Sequence, residues 1–232
     1  MTEGSDWRTS ACGRKFALSF SGGKDSILAL YHAMKVGEAI GLIVVMEEEG
    51  KRSRAHGITE TIINAQAEAL GLPVFAASAS LDDYEKVFVQ LLGSAKQHGA
   101  EVLVTGDVDM PAQDCWHDRV AKGAGLRLGM PLWERDHLEV VREFIDLGFA
   151  AVLVTVNLSM GMREEDLGRT MTHDFVEELA ARGIDPCGES GEFHTMVIDG
   201  PIFKRAVPVR ERGVVRDGDY AYLSFELDAH GT

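Results

Sequence analysis

A glycine-rich hexapeptide, SGGKDS at residues 21–26, lies between an apolar stretch and apolar residues at helical spacing. Gly22 and Gly23 have no Cβ atom, so the backbone here can approach a ligand closely. The first N–H groups of a helix that follows such a turn lack partners within the helix, and the helix dipole is positive at that end. Ser21 and Ser26 add hydroxyl donors. The segment therefore predicts a cradle for an anion such as a polyphosphate.

The two charged residues of the hexapeptide refine this prediction. Lys24 can add positive charge, whereas Asp25 would repel a bare phosphate. Asp25 fits either as a first-turn helix residue or as a ligand of a Mg²⁺ ion that accompanies the phosphates. The spacing differs from that of a Walker A loop. A tight strand-to-helix turn without a ligand is the alternative, and it would suit a lone glycine pair better than these six residues.

A second glycine-rich segment, CGESGEFHT at residues 187–195, carries two carboxylates and an imidazole. Glu189 and Glu192 could orient an amine, act as a general base or hold Mg²⁺. His194 could do acid–base chemistry near neutral pH or contact a substrate. From the residues alone, solvated loop carboxylates and an exposed histidine at a strand start are the simpler interpretation.

Strand-like and helix-like patterns alternate over the first 133 residues. Buried strands without polar alternation, separated by helices, predict a parallel, doubly wound, Rossmann-like α/β sheet. In such sheets ligands bind beyond the carboxyl ends of the strands, where both the hexapeptide and the pair Gly106-Asp107 are expected. The predicted strands are residues 16–20, 40–46, 74–79, 102–105 and 128–133, and the predicted helices are residues 27–34, 59–70, 84–97 and 115–123.

The pattern changes after residue 133. We therefore divide the chain into a nucleotide-type domain, residues 1–133, and a smaller α+β domain, residues 134–232. The second domain is predicted to hold a helix at 138–145, a strand at 150–156, mostly helix at 164–182, and strands at 196–198, 204–209 and 220–227.

Composition limits the classes of function. The chain has 232 residues and a net charge of −14, which disfavours general nucleic-acid binding. The polar N-terminus predicts no signal peptide, and no apolar run approaches a membrane span. Three separated cysteines fit a reducing cytoplasm better than a disulfide framework or structural zinc.

The hexapeptide resembles the PP-loop signature, SGGxDS, of the N-type ATP pyrophosphatases. Residues 188–203, GESGEFHTMVIDGPIF, resemble the hallmark of the diphthine–ammonia ligase family within that superfamily, as do AHGI at 55–58, TGDV at 105–108 and PLW at 131–133. The usual family motif has glycine at the position of Ser190 and glutamate at that of His194. A histidine there is more similar to a bacterial branch linked to cobalamin salvage.

The resemblance implies an ATP-dependent ligase with Mg²⁺ that adenylates a carboxylate, releases pyrophosphate and forms an amide. Lys24, Asp25, Glu189, Glu192 and His194 would be catalytic. The nucleotide would contact residues 21–26 and also Val44, Val45, Met46, His56, Gly106 and Asp107. Asp25 would bind the metal; Asp107 and Asp109 could bind metal or cap the next segment.

Other functions stay open at this point. The chain has no room for a glutaminase domain, so free ammonium would supply nitrogen to a small or protein-borne carboxylate acceptor. An adenine-nucleotide sensor or accessory protein linked to cobalamin salvage is the main alternative. A tRNA thiolase would need a cysteine relay, which Cys115 and Cys187 do not form by pattern. We expect no nucleic-acid or membrane partner, and a homodimer is left open.

Overall fold

The computed structural model describes residues 7–48, 57–109 and 116–228. In chain order its helices and strands are α1 Trp7–Ala11, β1 Lys15–Ser19, α2 Lys24–Met34, β2 Glu38–Met46, α3 Glu60–Leu70, β3 Val74–Ser78, α4 Tyr84–Gln97, β4 Val102–Val104, α5 Trp116–Gly123, β5 Arg127–Gly129, α6 His137–Asp146, β6 Ala150–Asn157, α7 His173–Ala181, β7 Phe193–Asp199, β8 Val209–Asp217 and β9 Tyr220–Leu227. Short 3₁₀ helices lie at Leu158–Met160 and Glu164–Asp166.

The chain forms two compact units that are not continuous in sequence. The first holds residues 1–21, 25–54 and 72–134, and the second holds residues 22–24, 55–71 and 135–232. Three residues of the hexapeptide and helix α3 thus belong to the second unit. The linear division at residue 133 stays a prediction.

The first unit confirms the predicted Rossmann-like class. Its five strands are all parallel, in the order β3-β2-β1-β4-β5. Helix α4 packs its apolar side, including Phe88 and Leu92, against strand residues such as Ile43 and Leu103. Strand β4 and residues 42–46 of β2 are continuous buried apolar runs, as is typical of a parallel sheet that is covered on both faces.

The second unit contains an antiparallel sheet of four strands, in the order β7-β6-β9-β8. Asp136 and Thr172 cap helices α6 and α7 by accepting hydrogen bonds from backbone N–H groups three residues ahead. Buried Asp166 accepts hydrogen bonds from Arg182 at 2.7 Å and Arg169 at 3.3 Å. Burial raises the pKa of Asp166, but these contacts outweigh it and hold that pKa below its ordinary value.

Several sequence predictions of elements are wrong in extent. Residues 204–208 form no strand, and β8 instead runs from Val209 to Asp217. This strand is exposed on both faces and its sequence shows no apolar alternation, so the pattern did not predict it. Strand β5 ends at Gly129, and residues 131–134 form turns. The predicted helix at 164–182 is not continuous. An irregular stretch, which contains Gly168 in the left-handed region at φ +76°, separates the 3₁₀ helix at Glu164–Asp166 from α7. No helix in the described part of the chain is long and apolar enough to cross a membrane.

Candidate functional site

Two loops at the carboxyl ends of β1 and β4 meet within the first unit. A Cβ atom on Gly106 would lie 2.6 Å from the carbonyl carbon of Asp25 and 2.7 Å from the backbone nitrogen of Ser26, so only glycine fits there. The Ser21 hydroxyl donates to the Ser26 hydroxyl at 3.2 Å. The structure therefore brings four of the predicted nucleotide-binding residues together at one edge of the parallel sheet.

Gly22 is held by contacts inside the second unit. Its carbonyl accepts hydrogen bonds from the Val197 N–H at 2.9 Å and from Gln66 Nε2 at 3.0 Å. Gln66, fully buried on α3, also donates from Nε2 to the Val197 carbonyl at 2.7 Å. Its amide thus bridges Gly22 and β7, while no described donor reaches Gln66 Oε1.

This bridge fixes the direction of the peptide that joins Gly22 and Gly23. In a trans peptide the carbonyl and the following N–H point in opposite directions. Because the Gly22 carbonyl points at Gln66 and Val197, the Gly23 N–H points away from them. Gly22 has φ +79°, and a Cβ on it would lie 2.6 Å from Gln66 Oε1, so both conformation and space require glycine.

Lys24 connects the hexapeptide with the second glycine-rich segment. Its backbone N–H donates to Thr195 Oγ1 at 3.0 Å, and its ammonium donates to the Cys187 carbonyl. Only 4% of Lys24 is exposed, and its Nζ lies 5.9 Å from the centre of the Phe193 ring. The side chain of Lys24 was predicted to add positive charge for an anion. In the structure it contacts the backbone of the second segment.

The second segment is organised by carboxylates that accept its own N–H groups. Asp185 accepts from the N–H of Cys187 at 3.0 Å and of Glu189 at 3.1 Å, and its Oδ2 lies 2.9 Å from His137 Nδ1. Glu192, only 6% exposed, accepts from the Ser190 N–H at 3.1 Å. Glu189 and His194 are half-buried.

The remaining candidate residues are less closely grouped. Val44, Val45 and Met46 are buried at the carboxyl end of β2. Asp107 Oδ2 lies 3.1 Å from His117 Nδ1. Burial raises the pKa of Asp107, but the contacts with His117 and Thr105 together outweigh burial and hold that pKa below its ordinary value. His56 lies outside the described residues.

Two residues that hold the glycine-rich segments, Gln66 and Asp185, were not identified from the sequence. Gln66 looks like an ordinary helix residue, and the only available signal was a long polar side chain beside the apolar stripe of α3. Asp185 could have been found because an aspartate two residues before a glycine-rich turn commonly accepts its N–H groups. Neither position signals its tertiary contact.

Comparison with known proteins gives the family. The Diphthamide synthase N-terminal domain model matches residues 14–128 and the Diphthamide synthase C-terminal domain model matches residues 136–228. A diphthine–ammonia ligase of Schizosaccharomyces pombe is 26% identical over 88% of this chain and 38% of its own length. The human diphthine–ammonia ligase is 26% identical over 93% of this chain and 92% of its own length.

The chain therefore spans about two fifths of the fission-yeast relative and nearly all of the human one. A solved structure, described as a predicted subunit of tRNA methyltransferase from Methanocaldococcus jannaschii, has a TM-score of 0.44 and 15% identity over 81% of this chain and 98% of that chain. We draw nothing from a likeness at that level. Both family models, placed in order along the chain, show that it belongs to the diphthamide synthase family.

Proposed function

We propose that the protein is an ATP-dependent amide ligase. An oxygen of the acceptor carboxylate attacks the α-phosphorus of ATP, pyrophosphate leaves, and an acyl adenylate forms. Ammonia then attacks the carbonyl carbon, AMP leaves, and a proton is released with the amide. The names of the relatives, which are diphthine–ammonia ligases, support this chemistry.

The phosphates of ATP would lie on the hexapeptide. Gly22, Gly23 and Ser26 would supply backbone N–H groups and a hydroxyl, and the dipole of α2 would favour the negative charge. Ser21 would add a second hydroxyl, and Lys24 would add a positive charge. The enforced direction of the Gly22–Gly23 peptide supports the proposal, because a cradle for an anion must present N–H groups and not carbonyls.

The adenine would lie along the end of β2, at Val44 to Met46. The pairing of β1 with β2 ends at Ser19 and Ile43, and the Phe20 N–H donates to the Ile43 carbonyl. Backbone groups face alternate neighbours along a strand, so those of Val45 face the β1 side beyond that last pair. They could read a purine edge there, near Gly106 and Asp107 of the proposed nucleotide site.

Asp25 would bind Mg²⁺. Its half-buried carboxylate, at the start of α2, is the hard oxygen ligand that Mg²⁺ prefers, and its backbone is fixed against Gly106. When bound, the ion would neutralise charge on the phosphates of the nucleotide.

The segment at residues 189–195 would form the acceptor side. Adenylation requires the acceptor oxygen to come within about 3 to 3.5 Å of the α-phosphorus. Glu189 and Glu192 would orient the amine, and Glu192 or His194 would accept the proton that ammonium must lose before it attacks. His194 and Ser190 replace the commoner family residues on this side, so the acceptor is left open between diphthine, a cobalamin-related acid and another carboxylate. We place the protein in the cytoplasm because Cys12 and Cys187 are free thiols.

The observation that carries this proposal is the double contact of Lys24 with Cys187 and Thr195, which joins the two motifs. The test is pyrophosphate release from ATP and Mg²⁺, with and without ammonium and candidate acids, together with mass analysis of the amide. Glu192→Gln should lower turnover at least tenfold and leave ATP affinity nearly unchanged. ATP binding without acid-dependent pyrophosphate release would favour the nucleotide-sensor alternative.

A further inference from the structure

Polar side chains form two rows across one face of the antiparallel sheet. Residues directly opposite each other on neighbouring strands point to the same face, and so do residues two apart on one strand. Thr155 of β6 lies opposite His194 of β7 and Tyr222 of β9. Asn157 lies opposite Tyr220, and its N–H donates to the Glu192 carbonyl at 2.7 Å. The rows are thus His194–Thr155–Tyr222 and Glu192–Asn157–Tyr220.

A bulge in β6 places Thr155 in its row. Leu153 lies opposite Thr195, but Thr155 lies opposite His194, so the intervening Val154 is an extra residue. In a regular ladder without this bulge, Val154 would lie opposite His194, and Thr155 would share the face of Leu153 and Thr195. Bulges that redirect a side chain are frequent beside functional sites.

The Thr155 hydroxyl is buried without satisfying its hydrogen-bonding capacity. Only 2% of Thr155 is exposed, and within the described residues Oγ1 has no hydrogen-bond partner. A buried hydroxyl without a partner destabilises the fold, and valine of the same shape would avoid that penalty. The hydroxyl therefore points to a small ligand that supplies the missing contact.

The neighbouring charge indicates what kind of ligand this is. Glu192 is the one carboxylate of the two rows and is 6% exposed. A cation with N–H donors would be attracted to this carboxylate. Thr155 and Glu192 are diagonal neighbours, at positions about 7 to 8 Å apart, so a cation about 3 Å from each oxygen can bridge them.

We propose that Thr155 and Glu192 form the ammonium-binding subsite of the enzyme. This rests on the proposed amide synthesis, in which ammonium is the nitrogen donor. The bound ammonium transfers one proton to the imidazole of His194. The resulting ammonia donates its electron pair to the carbonyl carbon of the acyl adenylate, AMP leaves, and the amide nitrogen loses a second proton to solvent.

The kinetic test compares Thr155→Val with Thr155→Ser. Valine keeps the shape and removes the hydroxyl, whereas serine keeps the hydroxyl. Thr155→Val should raise the KM for ammonium at least tenfold and leave the KM for ATP within twofold, and Thr155→Ser should stay near wild type. An unchanged KM for ammonium in a folded Thr155→Val variant would mean that the hydroxyl holds only a water molecule, and the subsite would be wrong.

A binding measurement separates this proposal from the proposed function. The thermal midpoint is measured in ammonium chloride and in sodium chloride at equal ionic strength. Ammonium should raise the midpoint of wild type and Thr155→Ser but not of Thr155→Val. This result without any amide formation would retain the cation site and reject the ligase reaction. Amide formation with equal ammonium effects on all three proteins would retain the ligase and overturn the subsite.

Discussion

The two glycine-rich segments, residues 21–26 and 187–195, differ in how their backbone groups are held. In the first, the Gly22 carbonyl is bound by Gln66 and Val197, which turns the following N–H away from those partners. In the second, the N–H groups of Cys187, Glu189 and Ser190 already donate to the carboxylates of Asp185 and Glu192. Glycine content alone therefore does not identify an anion site. The direction of the peptide groups distinguishes the proposed phosphate cradle from the proposed acceptor segment.

The largest expected effect comes from Gly22→Ala. Alanine at φ +79° costs about 1–2 kcal/mol, and its Cβ would collide with Gln66 Oε1, so either the peptide or the buried Gln66 amide must shift. We expect ATP affinity to fall about 100-fold, or roughly 2.7 kcal/mol, by calorimetry.

Gly191→Ala is the matched control for that variant. Gly191 also has positive φ, at +93°, but a Cβ there would meet no atom within 4 Å. It should therefore carry the backbone strain without the collision and leave ATP affinity within about threefold. Equal losses of ATP affinity in both variants would show that the contrast between the segments does not govern nucleotide binding.

Asp185→Ala tests the second segment. It removes the acceptor of two loop N–H groups, at a cost of about 2 kcal/mol in loop order. Acceptor-dependent pyrophosphate release should fall about 30-fold, with a much smaller change in ATP affinity.

His137→Ala is the control for Asp185→Ala, because it removes a contact to Asp185 and keeps both loop N–H contacts. Turnover of this variant should stay within about threefold of wild type. If Asp185→Ala weakened ATP binding as strongly as turnover, the segment would belong to the nucleotide site and not to the acceptor side.

The predictable parts of the molecule are those that local patterns specify. Continuous apolar runs alternating with helices gave the parallel sheet, and Gly22-Gly23 before a helix gave the turn. Gln66 could not be predicted, since its role depends on two carbonyls at Gly22 and Val197, far away in sequence. The position of Thr155 depends on a bulge, which reverses the face expected from strict alternation. Strand β8 is exposed on both faces, so its sequence lacks the alternation of apolar and polar residues that predicts a strand.

The smallest predicted effect sharpens the role of Gln66. Gln66→Leu keeps a similar volume but leaves the Gly22 and Val197 carbonyls without the side-chain donor. The Gly22–Gly23 peptide loses one of its two described constraints, so ATP affinity should fall about tenfold, or roughly 1.4 kcal/mol. Ile62→Val, at another buried position of α3, should lower stability by about 1 kcal/mol without changing ATP affinity. Equal ATP affinities for the two variants would reduce Gln66 to a packing residue.

Gln66→Glu adds a readout that packing alone would not produce. A buried carboxyl at this position has a raised pKa, because burial and the two carbonyl oxygens disfavour its charged form. Its protonated form can donate one hydrogen bond to the Gly22 carbonyl, whereas its carboxylate repels both carbonyls. Stability and ATP affinity of this variant should therefore be retained at low pH and lost as pH rises through the raised pKa. Wild type and Gln66→Leu, titrated in parallel, should lack this transition. A pH-independent Gln66→Glu variant would show that the amide does not orient the Gly22–Gly23 peptide, and the contrast between the two segments would then depend on φ alone.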